Sequence, residues 1–155
     1  MTEERNQRLP IPEITDALQT KFGTKIDITK TEVRRVYAKV DRDIIHDVCV
    51  YAHDTGFEHV TSIMGNDMKD HMEVIYHLTN YHTGIMIELT IDLPADDLRV
   101  RSTADIWVGG NWHERETYEL FGIIFEGHPK LERLLTPDTY EFYPFRKSYK
   151  LRGQE

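Results

Sequence analysis

The sequence predicts an α+β domain with a mainly antiparallel sheet, helices packed on it and an extended C-terminal tail. Three observations carry that reading. Segments 71–79 and 83–93 alternate apolar and polar residues at period two and are joined by a short turn, as a half-buried antiparallel pair should be. Segments 12–22 and 41–55 instead repeat apolar residues at helical spacing and stop at Gly23 and Gly56. The 155 residues are enough for one domain. A domain of that size buries about 68 to 70% of its unfolded surface, so it needs no disulfide or structural metal to stand.

Taken in order, 12–22 is an amphipathic packing helix with Pro12 in its first turn and Ile14 and Leu18 one turn apart. Segments 25–29 and 36–40 alternate through Ile26 and Ile28, then Val36, Ala38 and Val40, and read as strands. The 41–55 helix presents Ile44, Ile45, Val48, Cys49 and Ala52 as one stripe. Strands 59–64, 71–79 and 83–93 follow, with turns at 65–67 and 81–84, and Pro94 ends the sheet because it cannot donate to a ladder. Segments 103–108 and 112–121 read as two helical pieces separated by Gly109 and Gly110. Beyond Gly122 the spacing of Pro129, Pro137 and Pro144 predicts an extended tail, and the expected division is a domain over 1–139 and a basic tail over 140–155.

The net charge of −8 argues against a nucleic-acid surface over most of the chain. It is unevenly placed: from Asp41 to Asp92 ten acids face two bases, whereas from Tyr140 to Glu155 four bases outnumber two acids. One cysteine, Cys49, excludes an intramolecular disulfide and a cysteine-ligated iron–sulfur cluster held by this chain alone. No apolar run approaches the roughly 20 residues of a membrane span, and the first ten residues lack a signal-peptide core. The expectation is a cytoplasmic protein that reaches a membrane only through partners.

The 112–121 helix carries the most information. Asn111 with Glu114 three residues on resembles a capping box. Projected at 100° per residue, Trp112, Glu116 and Leu120 fall along one side and Glu114, Tyr118 and Phe121 along the other. Such a helix is covered on two sides, the second by the tail or by another protein. Glu116, lying within the Trp112/Leu120 stripe, is expected to pair with an arginine, either internal or from a partner, because an unpaired buried carboxylate costs several kcal/mol.

Chemical motifs are weak. His113-Glu114 opens like a zinc-protease helix, but Thr117 stands where the second histidine is required. His46, Cys49 and His53 share one helix flank, and solvated histidines beside a core cysteine explain them better than a metal. His71, Glu73 and His77 share a strand face that reads as the polar side of the sheet. Neither a dinucleotide loop nor a P-loop is present.

One resemblance is specific. Glu114-Arg115-Glu116, Tyr118-Glu119-Leu120-Phe121-Gly122-Ile123, Gly127-His128-Pro129, Leu131, Arg133-Leu134-Leu135 and Pro144-Phe145-Arg146-Lys147 resemble the signature of the 30 kDa (C) subunit of respiratory complex I. Counterparts occur in archaeal coenzyme F420 dehydrogenases and the photosynthetic NDH complex. The segments 74–78 and 102–112 extend the likeness to about half of the chain. The sequence departs from the family pattern at Phe142 and Ser148, and it ends soon after the motif, which suggests a prokaryotic or plastid-like complex.

The resemblance implies an α+β subunit with no catalytic residue, metal or cofactor of its own, docked in the peripheral arm of a membrane-associated oxidoreductase that couples electron transfer to ion pumping. Iron–sulfur clusters and flavin are then expected in partner subunits, and the neighbour is the 49 kDa (D-type) subunit that lines the quinone site. The residues it assigns to partner binding are Glu114, Arg115, Glu116, Tyr118, Phe121, His128, Pro129, Arg133, Arg146 and Lys147. The alternatives are the equivalent subunit of an energy-converting [NiFe] hydrogenase and, from another class, a stand-alone metal-dependent hydrolase using the histidines.

Overall fold

The computed structural model describes residues 11–134 and 142–148. Helix α1 (Ile11–Phe22) is followed by strands β1 (Ile26–Thr31) and β2 (Arg35–Val40), then helix α2 (Ile45–Asp54). Strands β3 (His59–Asp67), β4 (His71–Asn80) and β5 (Ile85–Pro94) form the expected meander, and β6 (Arg99–Arg101), helix α3 (Gly110–Phe121) and β7 (Ile124–Glu126) complete the described elements. The large sheet has the order β1-β2-β5-β4-β3. Three of its pairings are antiparallel, and β2 lies parallel to β5. The α+β, mainly antiparallel architecture is therefore the one its sequence predicts.

The period-two pattern explains which face is buried. Met72, Val74, Tyr76 and Leu78 on β4 and Ile85, Ile87, Leu89, Ile91 and Leu93 on β5 all point into the core. Val36, Ala38 and Val40 of β2 join them, as do Leu18 of α1 and Ile45, Val48, Cys49 and Ala52 of α2. The opposite face is half-exposed and polar, as expected of His71, Glu73 and His77. His77 is held there by Ser62 at 2.9 Å and Glu88 at 2.8 Å, one partner from each neighbouring strand.

Several local expectations are corrected. Residues 65–67 continue β3 rather than turning; the turn is at Lys69, whose φ of 74° is stabilised by its N–H donating to Asp67 Oδ1 at 2.8 Å. Pro94 is itself the last strand residue, opposite His71, so it ends the ladder from within. The 41–55 helix opens as a 3₁₀ turn over Arg42–Ile44 before becoming α-helical. Segment 103–108 is not helical, because the Thr103 N–H and the hydroxyls of Ser102 and Thr103 turn away to a carboxylate of α3. Past Gly122 the chain is not yet tail: β7 lies parallel to β6 and buries Phe125.

Candidate functional site

Helix α3 is fixed to the sheet by the stripe Gly110, Glu114, Thr117 and Phe121, spaced four, three and four residues apart along one face. β3 is the last strand of its sheet, so its outer backbone groups have no strand partner. Thr117 supplies one, its hydroxyl donating to the Ile63 carbonyl at 3.0 Å. Phe121 packs against Gly65 so closely that a Cβ there would stand 2.6 Å from the ring.

Glu114 is completely buried, and its carboxylate accepts from the Ser102 hydroxyl at 2.6 Å and from the Thr103 N–H and hydroxyl at 2.7 and 3.1 Å. Burial pushes its carboxyl above the ordinary value, while the three donors pull the other way. No capping box forms: Gly109 is the N-cap, without a side-chain cap bond, and Asn111 lies inside the helix. Asn111 offers its carbonyl to His128 Nε2 at 3.2 Å. His128 Nδ1 accepts the Lys130 N–H at 2.9 Å, which places the ring proton on Nε2. Burial lowers the His128 pKa against the opposing hydrogen bond to the Asn111 carbonyl, and the Arg115 charge adds to the lowering.

The outward side differs from the expectation. Trp112 is 55% exposed and Glu116 is exposed, so the Trp112/Glu116 side is the solvent side. Glu116 is therefore not part of a buried stripe, and among the described residues no arginine of this chain pairs with it. Arg115 lies 5.1 Å from the centre of the Trp112 ring and donates to the carbonyls of Glu132 at 3.0 Å and Arg133 at 3.3 Å. Val108, four residues before Trp112, is 85% exposed. Val108, Trp112 and Glu116 are thus exposed with the half-buried Arg115 against the Trp112 ring, and Pro129 is exposed in the turn after β7.

The described part of the tail folds back on α3. Gly122 adopts the left-handed conformation at the helix end, with φ of 79°. The carbonyls left over in the last turn are taken by the Phe145 N–H, bonding Leu120 at 3.0 Å, and by Arg146 Nε, bonding Phe121 at 2.6 Å. Tyr143 meets the Tyr118 ring edge-on at 6.4 Å, Phe145 meets Phe121 at 5.8 Å, and the Arg133 and Arg146 guanidinium groups lie against Tyr143. The Lys147 N–H donates to Asp67 Oδ2 at 2.7 Å. The second side of α3 is thus covered by its own chain. The remaining tail cations, Lys150 and Arg152, lie outside the described residues.

The residues assigned to partner binding consequently separate. Glu116, Pro129 and Lys147 are exposed, and Arg115, half-buried and bonded to the Glu132 and Arg133 carbonyls, lies against the exposed Trp112 ring. Glu114 and Phe121 are buried within the chain, while Tyr118, His128, Arg133 and Arg146 are partly buried and engaged in it, so these six brace the surface from behind. The histidine flank of α2 disperses: His46 binds Asp105 at 2.9 Å, His53 packs edge-on against Trp107, and Cys49 is sealed in the core. Sequence reasoning passed over Ser102, Thr103, Thr117 and Tyr143. The Gly110-Glu114-Thr117-Phe121 spacing was the signal for Thr117, whereas nothing local marks Ser102 and Thr103 as partners of a residue more than ten positions on.

The site is therefore a helix locked on its inner side by its own chain, with Trp112 and Arg115 on its outer side, on an α+β body. Comparison with known proteins identifies the family. The model of the respiratory-chain NADH dehydrogenase 30 kDa subunit family matches residues 38–155. The C-type subunit of the F420H2 dehydrogenase of Methanosarcina mazei is 36% identical over 141 residues, covering 88% of this chain and 89% of the relative. The C/D-type subunit of the NADH-quinone oxidoreductase of Acinetobacter baumannii is 32% identical over 154 residues, and there the match spans 92% of this chain but 26% of the relative's length. Among solved structures, a chain of the membrane-bound sulfane sulfur reductase, an archaeal respiratory membrane complex, superposes with a TM-score of 0.81 at 26% identity, covering 91% of this chain and 86% of that one. A trypsin-resistant fragment of Nqo5 shares the fold, with a TM-score of 0.68 at 24% identity over 77% of this chain and 98% of the fragment. The chain belongs to the 30 kDa subunit family of the respiratory-chain NADH dehydrogenase.

Proposed function

We propose that this chain is a non-catalytic structural subunit of the peripheral arm of a membrane-associated, complex I-like oxidoreductase, and that it docks the 49 kDa (D-type) subunit through the outer face of α3. The observation that carries the reading is Trp112: a tryptophan more than half exposed, with an arginine guanidinium against its ring, on a helix whose inner side its own chain holds. Tryptophan and arginine are the residues in which interface binding energy concentrates, and a preorganised helix loses little entropy on binding. The relatives whose names join C and D support the choice of partner, since the matched quarter of those chains is covalently continuous with the rest.

No described helix is long and apolar enough to cross a membrane. In this reading the subunit sits at the cytoplasmic face of the cell membrane, held there by its partners. Clusters and flavin reside in those partners, and the chain keeps the neighbouring subunit in register, where a displacement of about 1 Å can be costly to chemistry. Purification of the complex from membranes through an affinity tag on this chain tests the reading. Wild type should recover the D-type subunit and Trp112→Ala should recover at least about tenfold less, with unchanged thermal unfolding of the purified chain. Equal recovery would overturn it.

A further inference from the structure

The geometry points to a divalent-cation site of the zinc type on the open face of the large sheet, with His71, Glu73 and Asp92 as its ligands. The backbone register assembles it: His71 and Glu73 are two residues apart on β4 and share a face, and Glu73 lies directly opposite Asp92 on β5. One ligand atom from each of the three falls within 4.8 Å of the others. His71 Nε2 is 3.5 Å from Asp92 Oδ1 and 3.9 Å from Glu73 Oε1. Three ligands around a tetrahedral ion at about 2.0–2.1 Å stand about 3.3 Å apart; the His71–Asp92 pair is already near that spacing, and side-chain rotation must draw the widest pair in by up to about 1.5 Å.

Two further observations aim these groups at a cation. The Asp92 side chain is 39% exposed and its Oδ2 is held by Lys39 at 2.7 Å, yet Oδ1 itself is turned away from solvent and accepts no hydrogen bond, with His71 Nε2 3.5 Å away as its facing group. A carboxylate oxygen turned from solvent without a donor is under-satisfied, and an ion between it and the imidazole would satisfy it. His71 Nδ1 faces Asp70 Oδ1 at 2.8 Å. Donation of the Nδ1–H there leaves the Nε2 lone pair directed at Glu73 and Asp92, the carboxylate–histidine arrangement that orients metal-bound imidazoles. Asp70, Glu73 and Asp92 against Lys39 give a local charge of −2, which a divalent ion neutralises. The mixed nitrogen and oxygen donors, without thiolate, suit zinc or its first-row neighbours over magnesium or calcium. With three protein ligands, water takes the remaining position. The site lies on the polar sheet face, and it stands or falls independently of docking through α3.

The full chain, treated with chelator and desalted, is titrated with zinc sulfate by calorimetry while the His71 ring resonances are followed by NMR. We expect one zinc per chain and a selective shift of the His71 signals. His71→Ala and Asp92→Asn should each weaken binding at least about tenfold, and His46→Ala should leave it unchanged. Should Asp92→Asn unfold, Glu73→Gln replaces it, and the His71 signals of wild type report directly in either case. Unmoved His71 resonances at saturating zinc, or binding that survives His71→Ala undiminished, would overturn the site.

Discussion

The Glu114 carboxylate accepts a 2.6 Å hydrogen bond from the Ser102 hydroxyl with both residues buried, and this contact ties α3 to the end of β6. It explains why 103–108 does not form a helix and why the motif Glu114-Arg115-Glu116 divides into one inward and two outward residues. The buried acid positions the helix, and the positioned helix presents Arg115 and Trp112.

Glu114→Ala should destabilise the isolated chain by about 2–3 kcal/mol, because it strands the Ser102 and Thr103 donors in the interior. Its protonation adds a pH signature. The folded-state pKa is raised above the ordinary 4.5, mainly by burial, so this group's contribution to stability falls as pH climbs from the unfolded value through the folded one. Glutamine has no such dependence. Denaturant midpoints of wild type and Glu114→Gln from about pH 4 to about pH 8 should therefore show the wild-type advantage shrinking as pH rises; an advantage that grows instead would mean that the three donors outweigh burial.

Close backbone approach makes a second prediction. Alanine at Gly65 would set its Cβ 2.6 Å from the Phe121 ring, and overpacking of this kind costs about 1–3 kcal/mol. Alanine at Gly122 meets the left-handed backbone, with φ of 79°, and collides with Tyr143 and Arg146. Both variants should unfold at lower temperature, and Gly122→Ala should in addition release the tail to protease cleavage near Tyr143. A Gly122→Ala tail as protected as wild type would contradict the capping role given to Arg146.

Cys49 is fully buried, and burial pushes its thiol far above the ordinary range. Ellman's reagent should not react with the native chain over hours, and it should titrate one thiol once denaturant is added. Rapid reaction in the native state would show that α2 opens.

The fold was legible where hydrophobic period decides structure. Ile85, Ile87, Leu89 and Ile91 alternate without interruption, so β5 could be read from the residues alone. The parallel pairing of β2 with β5 was not readable, since register between distant strands leaves no local mark. The outer face of α3 was misread for a related reason. Trp112 and Leu120 look like core by composition, yet the helix is oriented by Glu114 and Thr117, polar residues whose burial depends on Ser102, Thr103 and the Ile63 carbonyl. The residues assigned to partner binding rest on family likeness, and their division into exposed and buried positions emerged from the packing.

In the proposed assembly the outer face of α3 meets the D-type subunit. The most direct measurement places a photo-crosslinking amino acid at position 112 in the assembled complex, with position 88 on the open sheet face as a comparison. Irradiation should join position 112 to the D-type subunit and leave position 88 without that adduct. Capture of the D-type subunit from position 88 and not from 112 would contradict the account.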